Sequence, residues 1–174
     1  SNNLTYLGSW AFSQCENISE ITFGSSISEI KDHTFYYCKG LVGDLVIPDN
    51  ITAIGESAFE SCSNLDGNLY LSKNLTTIGA ASFEYCENLK GEIIIPDSVE
   101  TIGKRAFYRC KSFSGSLIIP NKIKKIEEYT FTNCSNIESV SFGSSIISIG
   151  YEAFEYCAGI LSITVPENVV FISR

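Results

Sequence analysis

The sequence predicts a mostly β solenoid of stacked 23–24-residue coils, with parallel strands and short helical turns, and three observations lead there. Phe-x-x-Cys recurs at Phe12/Cys15, Phe35/Cys38, Phe59/Cys62, Phe83/Cys86, Phe107/Cys110, Phe131/Cys134 and Phe154/Cys157, so its phenylalanines lie 23, 24, 24, 24, 24 and 23 residues apart. These seven phrases use all seven cysteines. A short run of alternating apolar residues separates one phrase from the next, and Ile-Gly often stands just before the Phe-x-x-Cys phrase. Self-similarity at this period marks a repeat array whose units bury a core only by stacking.

The first element of a coil is a short strand. In Asp44-Leu45-Val46-Ile47-Pro48 the alternation sends Leu45 and Ile47 to one face, and the pair recurs as Ile21/Phe23, Leu69/Leu71, Ile93/Ile95, Leu117/Ile119, Val140/Phe142 and Ile163/Val165. A tight corner follows, Pro48-Asp49-Asn50 here and Gly24-Ser25-Ser26 or Gly143-Ser144-Ser145 elsewhere, where Pro, Gly, Asn and Ser supply turn angles and local hydrogen bonds. The spacing Ile51-x-x-Ile54, matched by Ile27/Ile30, Leu75/Ile78, Val99/Ile102, Ile123/Ile126, Ile146/Ile149 and Val169/Ile172, predicts a second extended segment.

Gly8, Gly55, Gly79, Gly103 and Gly150 then predict a bend before Phe-x-x-Cys, which reads as one short helical turn. Two residues past the cysteine, Asn17, Gly40, Asn64, Asn88, Asn136 and Gly159 are expected to close that turn in the left-handed conformation. Stacking such units puts Phe on Phe, Cys on Cys and Ile on Ile, and pairs each strand edge with the next coil.

Carried by these residues, the chain resembles the BspA-like, or Treponema-type, leucine-rich repeat surface proteins, whose repeat reads (I/L)-P-x-x-(V/I)-x-x-I-G-x-x-A-F-x-x-C-x-x-L. "IPDNITAIGESAFESCSNL" (47–65) and "IPDSVETIGKRAFYRCKSF" (95–113) follow it almost position for position. Ser72, Gly24 and Gly143 replace the proline, Lys31 and Glu127 replace the glycine, and Gly43, Gly67, Gly91 and Gly115 are additional, departures that bear on local curvature. The resemblance implies a leucine-rich-repeat solenoid from a cell-surface or secreted protein, and relatives of this kind include adhesins.

A net charge of -8, with Lys and Arg scattered, argues against nucleic acid and anionic membranes as partners. No apolar run approaches the roughly 20 residues of a membrane span, and no signal peptide is visible. Ser1 aligns with the middle of a repeat, and the chain stops after Ile172 where the next Gly-x-x-Ala-Phe is due. The expectation is therefore a single array over 1–174, about seven repeats, truncated at both ends from a longer protein that carries the signal and anchor.

An odd cysteine count, without close C-x-x-C pairs, argues against a disulfide framework or a zinc site and predicts buried free thiols packed as small apolar groups. No cofactor or metal is expected. His33 occupies a variable position shared with Trp10, Ser57, Ala81, Arg105, Tyr129 and Glu152, and reads as a solvated surface residue. Glu60 and Glu84 fall in adjacent coils at a separation of about 5 Å that would suit a retaining glycosidase, but nothing builds a cleft. Their row, with Ser13, Tyr36, Tyr108 and Thr132, reads as a hydrated edge, and no catalytic residue is assigned.

The outward row of the first strand remains: Thr22, Val46, Tyr70, Ile94, Ile118, Ser141, Thr164. Val46, Tyr70, Ile94 and Ile118 are its candidate partner-binding residues, a run of apolar side chains on a sheet that solenoid curvature makes a docking surface. Tyr37, Tyr85 and Tyr156 with Arg109 form a weaker alternative row. Five N-x-S/T sequons occur, at Asn3, Asn17, Asn50, Asn74 and Asn133, and the corner positions of Asn3, Asn50 and Asn74 would accept a glycan. The function expected is non-enzymatic recognition or adhesion at a microbial surface, toward host-matrix, cell-surface or microbial protein partners. The alternative is a structural spacer within a larger surface or secreted protein.

Overall fold

Every Pro/Gly/Ser corner closes as a four-residue turn. The N–H of Ile51 donates to Pro48 O at 2.9 Å, and Leu75 to Ser72, Val99 to Pro96 and Ile123 to Pro120 repeat the bond. A computed structural model describes residues 4–173. In chain order its strands are β1 (Glu29–Ile30), β2 (Leu45–Val46), β3 (Ala53–Ile54), β4 (Leu69–Tyr70), β5 (Thr77–Ile78), β6 (Thr101–Ile102), β7 (Ser114–Ile119), β8 (Lys125–Ile126), β9 (Asn136–Phe142), β10 (Ser148–Ile149), β11 (Ser162–Ile163) and β12 (Phe171–Ile172). All pairings are parallel and join equivalent positions of successive coils, as in Leu45↔Leu69 and Ile54↔Ile78. Both extended segments of the repeat are thus observed.

The short helical turns are not. No helix occurs among the described residues, and Phe-x-x-Cys lies in a run of overlapping β-turns. Thr34 N–H donates to Lys31 O, Tyr36 to His33 O and Cys38 to Phe35 O, while the intervening amides leave the coil: His33 N–H reaches Glu56 O, Phe35 N–H Ala58 O and Tyr37 N–H Glu60 O, each at 2.8 Å. A helix would keep every amide inside its own coil, whereas this run spends alternate ones on the neighbour. The geometry needs positive φ at two places per coil, for example His33 (56°) and Tyr37 (59°). Such a backbone costs a non-glycine residue about 1 kcal/mol, and the inter-coil bonds offset it.

Left-handed residues therefore stand before the cysteine; Asn17, Gly40, Asn64, Asn88, Asn136 and Gly159 have none of the positive φ expected of them. The bend expected of the corner glycines is also replaced by another cause. A Cβ on Gly55, Gly79, Gly103 or Gly150 would lie 2.4–2.7 Å from backbone of the preceding coil, so these positions are glycine because the coils approach so closely.

The core is a set of columns. Phe12, Phe35, Phe59, Phe83, Phe107, Phe131 and Phe154 stack with centroids 5.4–5.6 Å apart and planes within 12°. Beside them all seven cysteines are free, six of them buried, with Cys15 partly exposed. They do more than fill space. From Cys38 to Cys157, each Sγ donates to the carbonyl of a phenylalanine in the preceding coil at 3.0–3.2 Å. Burial pushes the Cys62, Cys110 and Cys134 thiols well above their usual range and Cys157 to about 11, so the protonated donor form is held.

Naming coils by their cysteine, one junction differs from its neighbours. The strands after the corner form two sheets, β1-β3-β5-β6 and β8-β10-β12, and no ladder joins β6 to β8. Between the Cys86 and Cys110 coils, Glu100 N–H donates to Thr76 O at 2.9 Å and Gly103 N–H to Ile78 O at 2.8 Å. Between the Cys110 and Cys134 coils the two counterparts are not formed among the described residues. The turn run still crosses there, with Arg105 N–H to Glu128 O, Phe107 to Thr130 and Arg109 to Thr132 at 2.8–3.1 Å. The strands before the corner are divided likewise into β2-β4 and β7-β9-β11, separated by residues 92–95, where Ile93 and Ile95 are buried without a ladder.

Two departures from the repeat coincide with this seam. Glu127 stands at the glycine corner, and its side chain turns back along its own strand to pair with Lys125 at 2.6 Å. Lys31, the other charged corner, pairs in the same way with Glu29 and also follows a junction without a ladder among the described residues. Ser173, the third non-glycine corner, keeps its bond to Ile149 O at 3.0 Å. Both charged corners are followed by a threonine that returns a hydroxyl to the corner carbonyl, Thr34 to Lys31 O at 2.7 Å and Thr130 to Glu127 O at 2.9 Å. The second departure is Lys122, at a position where Asn50, Asn74, Ser98 and Asn168 each staple their coil to the one before. Asn74 Nδ2 donates to Asp49 O at 2.8 Å, Ser98 Oγ to Lys73 O and Leu75 O at 2.7 Å, and Asn168 Nδ2 to Ser144 O at 2.9 Å.

Candidate binding surfaces

Alternation along the first strand fixes which side chains reach solvent. Leu45, Leu69, Ile93 and Leu117 turn inward and are at most 4% exposed, while Val46, Tyr70, Ile94 and Ile118 are 55%, 51%, 70% and 64% exposed. Val46 and Tyr70 are direct partners in the β2-β4 register. Ile118 faces Ser141 in β7-β9, and Ile94 belongs to the segment without a ladder. The four candidates therefore share one outward row, as the alternation requires, but the sheet beneath it is interrupted at Ile94.

The alternative row is engaged with its own neighbours. Lys39 Nζ sits 4.1 Å from the Tyr37 ring centroid, and the Arg109 guanidinium lies 5.4 Å from that of Tyr85 while its Nε is 3.5 Å from Glu87. Arg105 lies between Tyr108 and Tyr129, at 5.2 and 5.0 Å. These contacts hold the cations and rings against each other, and Tyr156, 67% exposed, is the most open member.

The hydrated edge expected around Glu60 and Glu84 is corrected in two places. Glu84 is 5% exposed and Thr132 2% exposed, because residues of the next coil roof them: Arg105 Nη1 is 3.4 Å from Glu84 Oε1, and Glu152 O accepts from the Thr132 hydroxyl. Burial, and then the charge of Glu60, raise the Glu84 carboxyl above its ordinary range against the opposing pull of Arg105. His33 is likewise half-buried, stacked on Trp10 at 3.9 Å and 7°, with its Nδ1 unpaired. Among the described residues no group of three or more His, Cys, Asp or Glu is placed to hold a metal ion, and no helix is long and apolar enough to cross a membrane.

Two corner sequons have structural duties. The amides of Asn50 and Asn74 both donate to backbone of the preceding coil, so they act as staples rather than idle acceptors. Asn3 lies outside the described residues.

A sequence-family model described as "BspA type Leucine rich repeat region (6 copies)" matches residues 1–114 and 67–174. Among curated proteins nothing matches. Among solved structures, a leucine rich repeat protein of T. pallidum is 29% identical with a TM-score of 0.76, covering 84% of this chain and 67% of that one. A leucine-rich repeat protein from Bacteroides ovatus gives 26% identity and a TM-score of 0.87 over 99% of this chain and 44% of its own length. A leucine rich cell surface protein from Faecalibacterium prausnitzii gives 28% and 0.76 over 89% and 42%. The chain thus spans less than half the length of the last two.

Proposed function

The chain belongs to the BspA type leucine rich repeat family, and from that premise we propose that it is a non-enzymatic protein-recognition module of a microbial cell surface, engaging host-matrix or microbial protein partners. The observation that carries this reading is the outward row of Val46, Tyr70, Ile94 and Ile118, each more than half exposed on one side of the stack. Fully burying a side chain of this size stabilises a contact by about 1.5–3 kcal/mol, so a few of them suffice as anchors. The similarity to a protein described as a leucine rich cell surface protein supports the location.

The test is a screen of the isolated fragment against matrix and cell-surface proteins, followed by Tyr70→Ser and Ile94→Ser in one chain. The double variant is expected to fold as the parent and lose binding. Unchanged binding would discard the row as the site, and a screen without any partner would favour the spacer reading.

A further inference from the structure

At the seam between the Cys110 and Cys134 coils, on the strands after the corner rather than those of the outward row just described, lies a groove of about 680 Å³. Glu100 and Thr101 come from the coil before the seam, Lys122, Lys124, Lys125 and Glu127 from the coil after it, and Ser145 from the next. Three of the chain's 12 basic residues therefore fall within four positions, in a chain of net charge -8. Lys122 pairs with Glu100 at 2.9 Å and Lys125 with Glu127 at 2.6 Å. Lys124 has no ion pair among the described residues, so these groove residues carry one positive charge in excess.

The seam also carries peptide groups without their ladder partners. At neighbouring junctions the amides equivalent to those of Lys124 and Glu127 donate to carbonyls equivalent to those of Glu100 and Ile102, as Glu100 N–H does to Thr76 O and Gly103 N–H to Ile78 O. At the seam these bonds are not formed, which leaves donors on one coil and acceptors on the other. Strand edges of this kind recognise an extended backbone, and alternate side chains of the incoming segment then set specificity. Lysines alone would suit any polyanion; open edges beside them select for a peptide.

We propose that this groove binds an extended acidic segment of a partner protein, its backbone on the open strand edge and its carboxylates against Lys122, Lys124 and Lys125. The site is separate from the outward row of Val46 and Tyr70.

The experiment measures fluorescence anisotropy of a blocked, fluorescein-labelled peptide of alternating Glu and Val, with an alternating Lys and Val peptide and a sulfated heparin oligosaccharide as comparisons. Wild type is expected to bind the acidic peptide and not the basic one. Changing Lys122, Lys124 and Lys125 together to Ser is expected to weaken binding about tenfold, as loss of several exposed charge contacts implies. Glu127→Gly separates the two ingredients, since it removes a carboxylate and frees Lys125 in the groove while restoring the corner that lets the coils close. It is expected to weaken peptide binding. Tighter binding by Glu127→Gly, equal binding by the triple variant, no binding of the acidic peptide, or binding of the oligosaccharide alone would each overturn the proposal. So would loss of peptide binding in Tyr70→Ser, which would place the peptide on the other sheet.

Discussion

The Cys86/Cys110 junction and the Cys110/Cys134 junction are built on the same spine and differ only at their rims. Both stack phenylalanines at 5.4 Å, and both carry a thiol-to-carbonyl bond, Cys110 to Phe83 O at 3.1 Å and Cys134 to Phe107 O at 3.2 Å. The first adds a glycine corner, a Ser98 staple and two strand-ladder bonds. The second has Glu127, Lys122 and no ladder. Coil stacking is therefore secured by the aromatic column and the turn run, whereas the strand sheets are a separable second layer.

Removing what the junctions share should have the largest effect. Phe107 touches both Phe83 and Phe131, so Phe107→Ala is expected to cost about 3–5 kcal/mol, read from the urea midpoint, and to loosen both junctions alike. Next comes transplanting the open rim into the closed junction. Gly103→Glu forces a Cβ to within 2.4 Å of Ala80 N and is expected to cost about 1–3 kcal/mol. Amide exchange at Glu100 and residue 103 should accelerate, while that at Phe107 stays slow.

The reverse exchange is smaller and of opposite sign. Lys122→Asn with Glu127→Gly supplies the missing staple and corner, and each bond regained is worth about 0.5–1.5 kcal/mol. Slower amide exchange at Lys124 and residue 127 would report closure; unchanged exchange would show that the seam has another cause.

The smallest effect concerns Glu84, on the closed side. Because its folded carboxyl is raised by burial and by Glu60, its contribution to stability is full below the unfolded carboxyl range and is lost as pH rises through the folded value. Glu84→Gln lacks this loss. Its stability relative to wild type should therefore improve between pH 4 and pH 7, measured as the difference in urea midpoints; a constant difference would show that the buried charge carries no net penalty.

Much of this was legible in the residues. The two-residue alternation at Leu45/Ile47 and its equivalents has one physical solution when one face is buried, so the inward and outward rows, including Val46, Tyr70, Ile94 and Ile118, follow directly. The odd cysteine count likewise pointed to free thiols. Phe-x-x-Cys misled because its three-residue spacing suits a helical turn as well as a chain of β-turns, and non-glycine residues such as His33 and Tyr37 give no warning of positive φ. Glu84 looked solvated because its roof, Arg105, is 21 residues away and meets it only through stacking. Lys31 and Glu127 were visible as departures, but their meaning depends on a close backbone approach that no single coil contains; Lys122, at a variable corner position, gave no such signal.

The alternating destination of the turn-run amides has a consequence for how such chains change length. Every coil presents to the one above the same set of carbonyls that it seeks from the one below, so any unit can sit on any other. Duplicating or deleting a whole period leaves each joint with a ready counterpart. Novelty is then confined to the letters facing water and to the occasional joint left undone.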